Sequence, residues 1–270
     1  MRIRAKKSLG QHFLTCNWAV EKCLESAELH PQDVVLEIGP GGGVLTRAIA
    51  PKVTRVIAIE KDEILASALA AQLNKEGIMN VTIIRDDILR LLSRANPETE
   101  ALPKKYKIIA NIPYYLTARL LRIVFESKFL PELMVITIQK EVAERIIARP
   151  PHTNLLALSV QVFGKPEIIQ IIPASCFVPK PKVESATIKI SHISTDFFKK
   201  NHLEKEMFFL VARTGFAQKR KTLLNTLGVL VPKPRLKRIL LDNGLNPAIR
   251  AEALSLTNWA LLIKRLPPIN

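Results

Sequence analysis

Between residue 18 and about residue 190 the chain alternates short β-branched runs with longer stretches of helical texture. Val34–Ile38 is apolar except at Glu37, and a glycine turn separates it from a helix predicted over residues 44–50. Further strands are predicted at residues 55–59, 81–84, 107–110 and 133–138, with helices over Glu63–Lys75 and residues 118–127. Strands that are apolar nearly throughout, separated by helices, predict a parallel sheet covered on both faces.

After Asn154 the texture changes. Strands at residues 168–172 and 186–190 are separated by Pro173, Pro179 and Pro181, which suits antiparallel pairing at the end of an otherwise parallel sheet. Beyond residue 204 the pattern predicts helices over residues 208–216, 219–227, 235–243 and Leu256–Arg265, with joints at Gly228, Pro232, Pro234, Gly244 and Pro247. The run from His192 to Asp196 breaks the periodicity. It predicts a larger α/β domain over residues 1–195 and a smaller all-helical domain over residues 196–270. There is no internal repeat and no low-complexity tract.

Of the 270 residues, 48% are hydrophobic and only 10 are glycine, which excludes a disordered or fibrous chain. The balance of 40 Lys and Arg against 24 Asp and Glu leaves a net charge of +16, spread along the chain and not gathered in a tail. Such a chain expects a polyanionic partner, nucleic acid before an anionic membrane. No apolar run approaches the about 20 residues that span a bilayer, and the first residues lack an apolar signal core, so a cytoplasmic protein is expected. Cys16, Cys23 and Cys176 are odd in number and form no CxxC pair, which predicts structural thiols and neither a disulfide nor a zinc site. The five histidines lack metal-ligand spacing, and no metal is expected.

Candidate chemistry lies at the strand ends. Gly39, Gly41 and Gly43 follow the first strand and open a helix, which lets a nucleotide-like ligand approach the backbone. Val44 falls where the pyrophosphate-binding glycine fingerprint wants a small residue, so a dinucleotide site is disfavoured. Glu60, at the end of the second strand, is placed to accept hydrogen bonds from both ribose hydroxyls. Asp87, at the end of the third, can accept from an exocyclic adenine amine while Ile88 covers the ring.

Asn111-Ile112-Pro113-Tyr114 follows the fourth strand. An aromatic amine is a poor nucleophile because its lone pair is delocalised into the ring. The Asn111 side-chain carbonyl and the Ile112 backbone carbonyl can bind its hydrogens and free the lone pair for an electrophile. Pro113 stiffens the loop, and Tyr114 offers a face for an unpaired base.

With these motifs, and with Lys7 to Leu14, Gln139 to Arg145, Phe177 to Val183 and Gln218 to Leu223, the chain closely resembles the small-subunit ribosomal RNA adenine N6-dimethyltransferases, the kasugamycin-sensitivity methyltransferase family. The resemblance covers nearly the whole chain. It implies a Rossmann-like class I methyltransferase domain with a small helical domain, and S-adenosylmethionine as cofactor. It also implies dimethylation at N6 of two adjacent adenosines near the 3′ end of 16S ribosomal RNA, with a role in small-subunit biogenesis. The expected partner is 16S rRNA in the small subunit or its precursor, met by a monomer. The family's cofactor contacts fall on His12 and Leu14 in an N-terminal segment of residues 1–17, then on Gly39, Gly41, Glu60, Lys61, Asp87, Ile88 and Asn111. The resemblance has Phe177 stack the extruded base opposite Tyr114. Phosphate contacts are expected from Arg145, Arg149, Lys180, Lys182, Lys219, Arg220 and Lys221. The family usually carries asparagine where His12 stands.

Two rival readings share much of this pattern. One is an erythromycin-resistance-type methyltransferase acting on large-subunit RNA, against which the Lys7 to Leu14 and Arg220-Lys221-Thr222-Leu223 stretches speak. The other is a non-catalytic assembly factor, against which intact Glu60, Asp87, Asn111 and Tyr114 speak.

Overall fold

The computed structural model describes residue 6, residues 10–93 and residues 104–267. The chain divides into two compact units, Met1–Ala143 with Lys165–Ile193, and Glu144–Gly164 with Ser194–Asn270. The boundary near residue 194 lies where the periodicity breaks. However, residues 144–164 belong to the second unit, so the larger domain is not continuous from 1 to 195.

In the first unit, a seven-stranded sheet contains β2 (Val34–Ile38), β3 (Arg55–Glu60), β4 (Val81–Arg85), β5 (Lys107–Asn111), β6 (Leu133–Gln139), β7 (Lys165–Ile172) and β9 (Ser185–Ser191). Its order is β4-β3-β2-β5-β6-β9-β7. The first five strands are parallel, and β9 and β7 join antiparallel. Leu36, Ile108, Ile109, Ala110 and Met134 to Ile136 are fully buried, as befits strands covered on both faces. Helices Glu63–Lys75 and Thr117–Glu126 fall near the expected spans. The first starts cleanly because the Asp62 side chain accepts from the Ile64 amide and caps it.

A separate two-stranded sheet pairs β1 (Phe13–Leu14) with β8 (Phe177–Val178), Leu14 opposite Phe177. Beside it Cys16 and Cys176 form a disulfide across a sequence separation of 160. This corrects the expectation of unpaired thiols, because the pairing of β1 with β8 makes the two cysteines neighbours. Cys23 is free and buried, and burial, assisted by Glu37, pushes its thiol up to about 12.

The second unit is helical. Phe198, Phe208, Leu223, Leu236 and Trp259 are buried in its core. Gly215 lies under the Trp259 indole, where an added Cβ would come within 2.6 Å of the ring. Asn154 caps the helix Leu155–Gln161 by accepting from the Ala157 amide. The predicted helix over residues 219–227 is shorter. It spans only Leu223–Thr226 and continues as a 3-10 turn to Val229, so Lys219, Arg220 and Lys221 sit in the preceding turn.

Candidate active site

The strand order reverses direction at β2, with β3 on one side and β5 on the other. An open α/β sheet makes its ligand crevice at such a point, outside the carboxyl ends of the strands. The turn after β2 is shaped by Gly39, Gly41 and Gly43, all at positive φ. At Gly43 a side chain would be strained by the positive φ, and its Cβ would meet the Leu69 side chain at 2.3 Å and force it to shift. A Cβ on Gly41 would meet the Phe13 ring at 2.9 Å, so β1 lies directly against the glycine turn.

A cavity of about 230 Å³ opens there. It is lined by His12, Leu14, Gly39, Gly41, Glu60, Lys61, Asp87, Ile88 and Asn111, and also by Ile112, Pro113 and Tyr114. One site therefore collects residues spread over about a hundred positions of sequence. Of the N-terminal motif, Lys7, Ser8 and Leu9 lie outside the described residues.

Glu60 is buried, and its carboxylate accepts from the Gly41 amide at 3.1 Å and the Asp62 amide at 2.8 Å. Burial raises its pKa, and these two amides partly offset the rise. The glycine turn and the ribose candidate are thus one hydrogen-bonded unit. For Asp87, burial alone would raise the pKa, but the hydrogen bonds from Lys61 at 2.9 Å and from the Leu89 amide hold the carboxyl below its usual value. Lys61 is spent on that contact.

Asn111 is the last residue of β5. Its amide nitrogen donates to the His12 backbone carbonyl at 2.9 Å, and its carbonyl oxygen has no hydrogen-bond partner among the described residues. The Ile112 amide donates to the Thr137 carbonyl at 3.0 Å, which ties the loop to β6. Tyr114 is half-buried, with its hydroxyl 2.7 Å from Ser185 Oγ.

Phe177 is not brought to this cavity. Only 2% exposed, it lies in the core with Leu14 and Cys176, so the expected sandwich of a base between Tyr114 and Phe177 is corrected. In β8 the next residue, Val178, points the other way and is 59% exposed.

Tyr115, Arg119 and Glu37 are among the lining residues that had no assigned role in the sequence. Tyr115 is 63% exposed at the cavity and packs beside Gly10. Arg119 lines the cavity one helical turn further on. Glu37 lines it too, and its two carboxyl oxygens are buried with no hydrogen-bond partner. Burial pushes the Glu37 pKa up to about 8, with Glu60 adding to the rise. The Thr46 hydroxyl and amide pull the other way, though neither closes to hydrogen-bond geometry. An acid inside an otherwise apolar strand was the signal available for it. Among the described residues no group of His, Cys, Asp and Glu is arranged to hold a metal, and no helix is long and apolar enough to cross a membrane.

The seven basic residues expected at phosphates are all exposed, and none forms an ion pair among the described residues. Arg145, Arg149, Lys219, Arg220 and Lys221 belong to the helical unit, and Lys180 and Lys182 to the sheet unit.

A parallel sheet with a glycine turn at its switch point, acids at successive strand ends and an oriented Asn-Ile-Pro-Tyr loop define a Rossmann-like, S-adenosylmethionine-dependent methyltransferase. The model of the ribosomal RNA adenine dimethylase family matches residues 2–267, and the chain belongs to that family of rRNA-methylating enzymes. A ribosomal RNA small subunit methyltransferase A from Dehalococcoides mccartyi is 40% identical over 264 residues, covering 96% of this chain and 88% of the relative. Among solved structures, a dimethyladenosine transferase from Plasmodium falciparum superposes with a TM-score of 0.75 at 25% identity, covering 93% of this chain and 96% of the other. The 23S rRNA methyltransferase ErmE shares the fold, with a TM-score of 0.70 at 23% identity over 94% of this chain and 99% of its own.

Proposed function

We propose that this enzyme dimethylates N6 of two adjacent adenosines near the 3′ end of small-subunit ribosomal RNA, acting on the small subunit or its precursor. The observation that carries the reading is the Asn111 amide. With its nitrogen tied to His12, its carbonyl is left without a protein partner among the described residues, in a cavity that Glu37 and Glu60 also line.

S-adenosylmethionine fits that cavity by its chemistry. It carries an ammonium, for which the unpartnered Glu37 carboxylate is a counter-ion, and two ribose hydroxyls, which the Glu60 carboxylate can accept beside the Gly41 turn. Its adenine amine suits Asp87, and Ile88, only 4% exposed, supplies an apolar wall for the ring. When bound it supplies an electrophilic methyl on a sulfonium that is its own leaving group. The protein then has to position the amine, exclude water and accept the amine hydrogens. Asn111 Oδ1 and the Ile112 carbonyl accept those hydrogens, and Tyr114 takes the base against its ring. No general base is required, because the nitrogen becomes strongly acidic only as it gains the methyl.

The unpaired basic residues on both units provide the salt-dependent part of RNA affinity. The high identity to a small-subunit enzyme favours that target over a large-subunit one. Incubating the protein with labelled S-adenosylmethionine and undermethylated 30S or 50S particles, then mapping the label, tests the reading. Label on two adjacent adenosines of 16S RNA is expected, and label confined to 23S RNA overturns the assignment.

A further inference from the structure

The Tyr114 ring is gripped from two sides. At its edge, the hydroxyl meets Ser185 Oγ at 2.7 Å. Ser185 is fully buried at the first position of β9, where its backbone is in register with Gln139 of β6 and Ile172 of β7. On one face, the ring stacks on the His12 imidazole, with centroids 5.5 Å apart and planes at 22°. His12 is held in turn, with Nδ1 2.6 Å from the Pro179 carbonyl. A carbonyl only accepts, so Nδ1 carries the proton. The His12 backbone carbonyl receives the Asn111 amide. Edge and back of the ring are therefore occupied, and a single face remains for a base.

We propose that Ser185 is a positioning residue for methyl transfer, holding the Tyr114 hydroxyl so that the ring stands against His12 and offers its other face to the target adenine. The inference rests on Tyr114 being the stacking wall. A tyrosine ring swings on two torsions. The hydrogen bond at the hydroxyl restrains χ1, and because that oxygen lies on the χ2 axis the plane of the ring is set by its stacking on His12. The burial of Phe177 sharpens the demand, since no second ring from that loop is in the cavity to trap a base that Tyr114 presents badly. Ser185 itself lies outside the cavity lining, so its effect on the reaction passes through Tyr114.

The test is a double-mutant cycle of Ser185→Ala and Tyr114→Phe, read as turnover on undermethylated 30S particles and as S-adenosylmethionine affinity. Each single variant should lose about three- to tenfold in turnover, the worth of one net hydrogen bond, with cofactor affinity unchanged. The double variant should be no slower than the slower single, because both substitutions remove the same bond. Multiplying losses in the double variant, or wild-type turnover in Ser185→Ala, overturns the proposal. Should Ser185→Ala not fold, Tyr114→Phe breaks the bond from a half-buried position, and wild-type turnover there overturns it equally. Tyr114→Ala separates the two layers. Unchanged turnover in that variant defeats the stacking role itself, whereas a loss there combined with an additive cycle defeats only the part given to Ser185.

Discussion

The Asn111 side chain donates to the main-chain carbonyl of His12 at 2.9 Å, across 99 positions of sequence. That bond settles which way the amide points. The nitrogen faces the N-terminal segment, and the oxygen is left for a hydrogen-bond donor in the cavity.

Replacing Asn111 by Ala should therefore lower turnover by about 100-fold or more while shifting cofactor affinity little. The carbonyl acts on the amine as positive charge develops there, an interaction that strengthens in the transition state. Asn111→Asp should also be impaired, because a carboxylate oxygen facing the His12 carbonyl is repelled by it. Single-turnover rates alongside calorimetric cofactor affinities check this. A variant with normal turnover and weakened cofactor binding would remove Asn111 from the chemistry.

Much of this site was legible along the chain because parallel strands buried on both faces write themselves as apolar runs, and the polar residue that ends each run stands on the ligand edge. Glu60 and Asn111 are read in this way, as is Asp87 two residues past β4. What was hidden depends on partners distant in sequence. The resemblance puts Phe177 against the base, yet its pairing with Leu14 in a two-residue sheet turns it inward. The same pairing creates the Cys16–Cys176 bond, which neither cysteine count nor spacing could show. Residues 144–164 follow the sheet in sequence, but hydrogen bonds such as that of the Thr153 amide to the Glu252 carbonyl at 3.1 Å join them to the helical unit.

Glu37 makes cofactor binding pH-dependent. Its pKa is raised from an ordinary 4.5 to about 8, so the folded, ligand-free protein holds a proton there that the unfolded chain has released. With more protons bound in the folded state, this group's contribution to stability falls as pH rises from about 4.5 to about 8. A cationic ligand favours the ionised carboxylate. Binding should thus release a proton, and affinity should rise with pH between about 6 and 7.5, below the titration of an α-ammonium. Calorimetry in buffers of different ionisation enthalpy reads the released proton. Glu37→Gln should abolish the release, and a wild-type affinity flat across this range would show that the carboxyl does not meet the cation.

The disulfide should stabilise the first unit. It closes a loop of 160 residues, and cross-links of this kind typically contribute about 2–4 kcal/mol, chiefly by restricting the unfolded chain. Reductant, or the Cys16→Ser and Cys176→Ser pair, should lower the denaturant midpoint accordingly. Cys23→Ala should abolish no such sensitivity, because Cys23 is unpaired. A midpoint insensitive to reductant would show that the bond is not formed in solution.

The turn at residues 219–221 places three cations together, all exposed and without acidic partners among the described residues, directly before the helix Leu223–Thr226. A solvated surface usually intersperses such charges with acids, so an unneutralised cluster is poised to bind phosphate. Each phosphate bound contributes about 0.7 to 0.9 to the slope of log affinity against log salt. Reversing Lys219, Arg220 and Lys221 to Glu together should therefore weaken binding to the small-subunit particle and flatten that slope by up to about that amount for every phosphate the turn no longer holds. Cofactor affinity should be unchanged, since Glu37, Glu60 and Asp87 all lie in the other unit. Filter binding across a salt series reads both quantities. An unaltered slope would mean that the turn only solvates the surface, and the phosphate path would then run along Arg145, Arg149, Lys180 and Lys182, where the same reversal and the same salt series can be applied.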